Sequence, residues 1–283
     1  MKVKIEKAAE IGFCFGVRRA IDIIEKAAQQ YGKIETLGAV VHNEGVLQRL
    51  GDLGVGIVNS IDEVDGEIIA ISSHGVSPDV ESRLRAKSKI VIDTTCTFVK
   101  RAQLVAKKLA DEGFFVIIYG EAMHAEVKGI LGWAQDKGMA TLDTFSIRAM
   151  KNIPSKIGIL SQTTQIPENF TAFVKEVVEL TFQKDSEIRI LDTICPGVRK
   201  RQQVSFELAR QADLILVIGG RSSANTRRLL DLCSEVAEAH LISSGHEIDS
   251  NWFKGKNYIG ITSGTSTPDE TINEIIEQIK QKV

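Results

Sequence analysis

The chain has 283 residues, enough for two or three domains rather than one. Its 35 Lys and Arg against 37 Asp and Glu give a formal charge of −2, so no global field draws it to nucleic acid or to an anionic membrane. At 43% hydrophobic and 25% charged residues the composition is that of a folded chain and excludes a disordered one.

The N-terminus, MKVKIEKAAEIGF, carries charge throughout and lacks the apolar stretch of a signal peptide. No stretch of the chain reaches the roughly 18 consecutive apolar residues of a membrane helix. A cytoplasmic protein is expected, and its four cysteines are expected as thiols, metal ligands or catalytic groups rather than disulfides.

Taken in order, the elements recur. Cys14 opens the phrase Cys-Phe-Gly-Val-Arg-Arg, followed by a helical pattern over 18–29 and an apolar run that ends at Gly38. His42 and Glu44 lie just beyond it. The run IIAIS at 68–72 predicts a strand, then a polar loop with His74, then Pro78-Asp79, a helix-start signal. A strand at 90–93 leads to Cys96 in Cys-Thr-Phe-Val-Lys-Arg, a helix over 99–112, a strand over 114–119 and Gly120, with His124 and Glu126 after it. A strand over 157–160 precedes Thr163, Thr164 and Pro167-Glu168. Cys195 opens Cys-Pro-Gly-Val-Arg-Lys, followed by a helix over 199–211, a strand over 214–218 and Gly219, with Ser223 and Asn225 beyond. The strand at 258–262 leads to Ser266 and Pro268-Asp269.

Each glycine falls 24 residues after its cysteine, and each Pro-acid pair stands at a matching place in its copy. Markers that coincide three times define a repeat. Alternating strands and helices give an α/β fold with short parallel sheets, in three pseudo-threefold-related lobes: 14–95, 96–192, and 193–283 together with 1–13. The first copy departs at Ile11-Gly12-Phe13, where the others carry Asp93-Thr94-Thr95 and Asp192-Thr193-Ile194.

Ligands of parallel α/β sheets bind beyond the carboxyl ends of the strands, where every marked residue falls. A helix starting just after a cysteine favours its thiolate, the form that binds soft metals. Cys14, Cys96 and Cys195, one per copy, suit a single iron–sulfur cluster with one open iron, since such a cluster normally takes four cysteines. Cys233 lies outside the repeat, on an apolar helix face, and belongs to the core. His42, His74, His124, the hydroxyls of Thr163, Thr164, Ser223 and Ser266, and the Asn225 amide can donate to a phosphate or diphosphate. Helix capping is the plainer role for Ser266 and Thr267. Glu126, beside His124, is the candidate acid, with Glu44 a weaker one. The same donors would also serve a zinc hydrolase, a colourless protein where an iron–sulfur protein is brown. A cluster-bearing sensor is a third possibility, disfavoured because no partner-binding module remains once the repeat is counted.

The motifs GFCFGVRRAI (12–21), VHNEGV (41–46), SSHGVSP (72–78), DTTCTFVKR (93–101), HAEVKG (124–129), SQTTQ (161–165), DTICPGVRKRQ (192–202) and TSGTSTPD (262–269) resemble the 4-hydroxy-3-methylbut-2-enyl diphosphate reductases along essentially the whole chain. The resemblance implies three lobes around one [4Fe–4S] cluster on Cys14, Cys96 and Cys195. It implies diphosphate binding by His42, His74, His124, Ser223, Asn225 and Ser266. Glu126 is then the proton donor, with Thr163 near the leaving hydroxyl, and a ferredoxin or flavodoxin supplies electrons. The implied reaction turns the allylic diphosphate into isopentenyl and dimethylallyl diphosphates, the last step of the non-mevalonate route. Two positions depart from the family pattern. Ala224 stands within Ser222-Ser223-Ala224-Asn225 where the family has Asn-Ser-Ser-Asn, and Gly197-Val198 replace an Ala-Thr pair. A hydroxyl is lost at each place, while no cluster ligand and no acid is lost.

Overall fold

A computed structural model describes residues 3–41, 43–135, 137–183 and 185–283. In chain order the strands and helices are β1 (Lys4–Lys7), α1 (Phe15–Tyr31), β2 (Ile34–Leu37), α2 (Glu44–Asp52), β3 (Val55–Val58), β4 (Ile68–Ile71), α3 (Pro78–Lys87), β5 (Ile90–Asp93), α4 (Thr97–Asp111), β6 (Phe115–Tyr119), α5 (Ala125–Trp133), β7 (Gly138–Thr141), α6 (Phe145–Arg148), β8 (Lys156–Ser161), α7 (Pro167–Thr181), β9 (Glu187–Ile190), α8 (Pro196–Ala209), β10 (Leu214–Ile218), α9 (Ala224–Ser234), β11 (Glu238–Ile242), β12 (Tyr258–Ser263) and α10 (Asp269–Lys282). Short 3-10 turns lie at Ile61–Glu63, Gly245–Glu247 and Ser250–Phe253. No helix among the described residues is long and apolar enough to cross a membrane.

Among the described residues the strands form three four-stranded sheets, in the orders β3-β2-β4-β5, β7-β6-β8-β9 and β1-β12-β10-β11. Every pairing is parallel. Read from the last strand, the third order is the same as the first two, with β1 in the place that β5 and β9 hold. The fourth strand of the third sheet is thus drawn from the N-terminus, Lys4 lying opposite Tyr258.

The chain separates into two compact units. One holds residues 1–18, 41–50 and 196–283 and contains the β1-β12-β10-β11 sheet. In it all five residues of β10 are fully buried because the strand is covered on both faces. Leu214, Leu216 and Ile218 meet Ile272, Ile275, Ile276 and Ile279 of α10. Ile215 and Val217, on the opposite face, meet Leu208 and Ala209 of α8 with Leu229 and Cys233 of α9. Each such Leu, Ile or Val side chain contributes about 1.5–3 kcal/mol by leaving water.

The other unit, 19–40 and 51–195, holds the remaining two sheets. Val116, Ile118 and Leu160 of β6 and β8 pack on Ala102, Ala106 and Leu109 of α4. Ile117, Ile157 and Ile159 face Phe170, Phe173 and Val177 of α7. Helix α4 opens directly after Cys96 and α8 directly after Cys195, as the sequence predicts. Each cysteine therefore lies between the edge strand of one sheet (β5, β9 or β1) and the helix that follows it.

Candidate active site

Sheet register fixes which residues of the three copies are equivalent. Leu37 pairs with Ile71, Tyr119 with Ser161 and Ile218 with Ser263, each pair ending its strands. Two residues past these ends come Ser73, Thr163 and Thr265. Each of their carbonyls accepts the backbone N–H of a cysteine: Cys96 to Ser73 at 3.0 Å, Cys195 to Thr163 at 2.9 Å and Cys14 to Thr265 at 3.1 Å. One latch therefore holds all three thiol-bearing residues. The equivalence corrects the expectation that each Pro-acid pair, with Pro78, Pro167 or Pro268, stands at a matching place in its copy. The loops differ in length ahead of that proline, so His74, Thr164 and Ser266 are the matching positions.

The residue two before each cysteine also meets the strand end. Thr94 donates its N–H and its hydroxyl to the Ile71 carbonyl, and the Thr193 hydroxyl bonds to Ser161. In the departing copy the hydroxyl comes from the other side, the Gly12 N–H donating to Ser263 Oγ at 2.9 Å. Gly12 has φ +81°, and a Cβ there would lie 2.2 Å from Asp269 Oδ1, which explains why threonine is absent. Asp93 and Asp192 each accept an N–H two residues on, from Thr95 and Ile194, and shape the two matching turns.

The thiols of Cys14, Cys96 and Cys195 are partly exposed, and each cysteine immediately precedes a helix. The Val17 N–H points at Cys14 Sγ at 3.4 Å. Orphan amides of a helix start are available to donate to a sulfur placed there. Cys233 has the opposite setting, fully buried, and burial pushes its thiol up to about 12. Three accessible soft donors at helix starts fit an iron–sulfur cluster in their chemistry. Among the described residues no three His, Cys, Asp or Glu side chains are gathered closely enough to hold a metal ion.

In the unit built on β2–β9 the predicted residues form a connected path. Glu126 is 2% exposed, in the first turn of α5. Its Oε1 accepts the Thr163 N–H at 2.6 Å and its Oε2 the Thr163 hydroxyl at 3.0 Å. His124 caps α5, its Nδ1 accepting the Glu126 N–H at 3.2 Å. A neutral His124 ring consequently carries its proton on Nε2. The His124 ring meets the His74 ring edge to face at 5.3 Å. His74 follows Ser73, the partner of Cys96, and Thr163 is the partner of Cys195. Two of the three cysteines are thus tied to the two histidines and the acid.

Gly75, next to His74, has φ +68°, and a Cβ there would lie 2.5 Å from Gln103 Nε2 and 2.9 Å from Thr95 Cγ2. Gly75→Ala is expected to destabilise the chain by about 1–3 kcal/mol, seen as a lower midpoint in thermal unfolding. An unchanged midpoint would mean that the loop shifts freely.

In the other unit Ser223 caps α9, accepting the Thr226 N–H at 3.3 Å. Asn225 and Ser266 are 3% and 5% exposed, and among the described residues both amide atoms of Asn225 and the Ser266 hydroxyl lack partners. Capping does not explain Ser266 or Thr267. The N-cap of α10 is Pro268, and the Thr267 hydroxyl donates to the Ile218 carbonyl at 3.1 Å. Buried polar groups without partners cost about 1–3 kcal/mol each, which a ligand would recover. Ser222 is exposed and Val198 is buried. Glu44 is exposed in the first turn of α2, unlike Glu126. His42 lies outside the described residues.

Sequence reasoning missed Arg201, which is 3% exposed on α8. Its Nη1 donates to the Ser263 carbonyl at 2.9 Å, and its Nη2 to the Gly12 carbonyl at 2.7 Å. Burial lowers its pKa, while Cys14, Glu10 and Asp269 raise it again. The signal was present: Val198, Arg201, Gln202, Ser205 and Leu208 share the buried face of α8, so the arginine falls at a core position.

Three parallel sheets, thiols at helix starts in both units and a buried carboxylate in one of them together define an α/β enzyme. A family model described as "LytB protein" matches residues 5–280, and the chain belongs to the LytB family. It is 54% identical over 273 residues to a 4-hydroxy-3-methylbut-2-enyl diphosphate reductase of Dehalococcoides mccartyi (strain CBDB1), 96% of each chain being covered. It is 40% identical to the reductase of the same name from Geobacter metallireducens, over 99% of this chain and 98% of that one. Among solved structures it resembles the E-1-hydroxy-2-methyl-but-2-enyl-4-diphosphate reductase of Plasmodium falciparum. That match has a TM-score of 0.90 at 26% identity and covers 98% of this chain and 88% of that one. A structure of (E)-4-hydroxy-3-methyl-but-2-enyl diphosphate reductase, described as the terminal enzyme of the non-mevalonate pathway, matches at TM-score 0.71 and 34% identity over 99% of both chains.

Proposed function

We propose that this protein reduces (E)-4-hydroxy-3-methylbut-2-enyl diphosphate to isopentenyl and dimethylallyl diphosphates, with a [4Fe–4S] cluster held by Cys14, Cys96 and Cys195. The observation that carries the reading is the buried Glu126, bonded through both oxygens to Thr163. When bound, the cluster supplies electrons one at a time and a Lewis-acidic iron to polarise the leaving hydroxyl. The chain's own residues do the rest. A proton held on Glu126 Oε2 passes through the Thr163 hydroxyl to the departing oxygen, which leaves as water. Two electrons and a second proton replace the broken C–O bond by a C–H bond at either end of the allyl group, which accounts for two products. His124 Nε2, His74, Ser223, Asn225 and Ser266 are assigned to the diphosphate, as is His42. In this reading residues 14–95, 96–192, and 193–283 with 1–13 act as three lobes. A ferredoxin or flavodoxin is the electron donor, and the location is cytoplasmic.

The test is anaerobic iron and sulfide analysis of the purified chain, followed by turnover of the allylic diphosphate with dithionite and a viologen. A colourless zinc protein would overturn the reading, and so would a loaded cluster without turnover. Ser266→Ala checks the anion site separately. Removing a buried hydroxyl that lacks a partner leaves the thermal midpoint of the ligand-free chain unchanged or raised. Losing a bond to a charged diphosphate raises KM about tenfold or more. A lower midpoint with unchanged KM would assign Ser266 to structure instead.

A further inference from the structure

Arg201 is a buried cation whose hydrogen-bond partners are all neutral oxygens. Besides the Gly12 and Ser263 carbonyls, Nη1 lies 3.3 Å from Ser263 Oγ and 3.4 Å from the Gly264 carbonyl. These oxygens belong to two segments only. Gly12 is two residues before Cys14, and Ser263-Gly264 lead into Thr265, whose carbonyl accepts the Cys14 N–H. The two nitrogens of one guanidinium therefore pin both segments that hold Cys14. A planar fork does this where a single ammonium, one point of contact, does not. The acidic side chains that act on Arg201 are those of Glu10 and Asp269.

The other two cysteines show the same device in weaker form. Arg19, on the helix after Cys14, donates to the carbonyl of Thr95, the residue before Cys96, at 3.2 Å. Arg101, on the helix after Cys96, donates to the Asp192 carbonyl, three before Cys195, at 3.2 Å. In each case an arginine on the helix that follows one cysteine holds the segment leading to another. Arg101 is exposed, whereas Arg201 is buried and bonds to three residues.

We propose that Arg201 is a positioning residue for Cys14, fixing the segment that presents this thiol to the cluster, a role that rests on Cys14 being a cluster ligand. Partners behind a metal ligand are typically worth tenfold or more in metal retention. The test uses the full chain, reconstituted anaerobically with ferrous iron and sulfide. Three quantities are read: iron per chain, the rate at which a chelator strips the iron, and the electron paramagnetic resonance spectrum of the dithionite-reduced cluster. Arg201→Gln is expected to lose iron about tenfold faster than wild type, with a shifted spectrum. Arg201→Lys keeps the buried charge but not the fork. It is expected to fold and load, to release iron at an intermediate rate and to keep a shifted spectrum. Should Arg201→Gln fail to fold, Arg201→Lys decides alone. Wild-type release rate and spectrum in the folded variants would overturn the role of Arg201. A wild-type chain that takes up no iron and sulfide would overturn the cluster itself, a distinct result.

Discussion

Glu126→Gln is expected to lower kcat by about a hundred- to ten-thousand-fold while leaving iron content and the thermal midpoint close to wild type. The structure explains why so small a change separates chemistry from folding. Glu126 accepts two bonds, an N–H and a hydroxyl, both from Thr163. A carboxamide keeps its oxygen for the N–H and turns its NH2 toward the hydroxyl, which can accept as readily as donate. The hydrogen-bond pair survives with one proton reversed, and what is lost is an oxygen that can hold and release a proton. Glu126→Ala is a different experiment, because the buried Thr163 N–H would lose its acceptor at a cost of about 1–3 kcal/mol. Parallel measurement of kcat, iron per chain and unfolding separates these outcomes. A Gln variant with near wild-type kcat would remove Glu126 from the proton path.

Cys14→Ser, Cys96→Ser and Cys195→Ser are each expected to abolish turnover and to lose most cluster iron, since a hydroxyl is a poor ligand where a soft thiolate is needed. Cys233→Ser is the control and fails differently. Its sulfur packs in a cluster with Leu208, Ala209 and Leu229 and reaches the Ser205 carbonyl only at 3.9 Å. A serine hydroxyl there stays too far for a good bond, which costs about 1–3 kcal/mol of stability with iron content unchanged. Iron analysis and unfolding on all four variants give the comparison. Loss of iron from Cys233→Ser but not from Cys14→Ser would reverse the assignment.

How much of this was legible in the sequence depended on burial. The central strands β4, β6, β8, β10 and β12 announce themselves as apolar runs because both faces are covered. Several others do not: the edge strands β1, β9 and β11 read KIEK, EIRI and EAHLI, the central strand β2 reads IETL, and β1 and β9 keep no fully buried residue. A strand that borrows its register from one neighbour needs no apolar pattern of its own. The helix starts after each cysteine and at each Pro-acid pair were legible because they are local signals. The equivalence of Ser73, Thr163 and Thr265 was not, since it follows from backbone pairing and is hidden by loops of unequal length. Arg201 was overlooked because a basic residue beside Arg199 and Lys200 looks like part of a solvated run until the helical phase is counted.

The third sheet takes its last strand from the far end of the chain. Glu6 and Tyr258, 252 residues apart, share a hydrogen bond there. During synthesis at about 5–20 residues per second, the first strand waits on the order of 10–50 s for its neighbour. The two sheets of the other unit can close meanwhile from shorter-range pairings. Cys14, which follows that strand, is fixed only once residues 258–265 have been made, because they supply both the partner of β1 and the carbonyl on its amide. On the proposed function, loading of a cluster at that thiol is consequently a late event in the life of each new molecule.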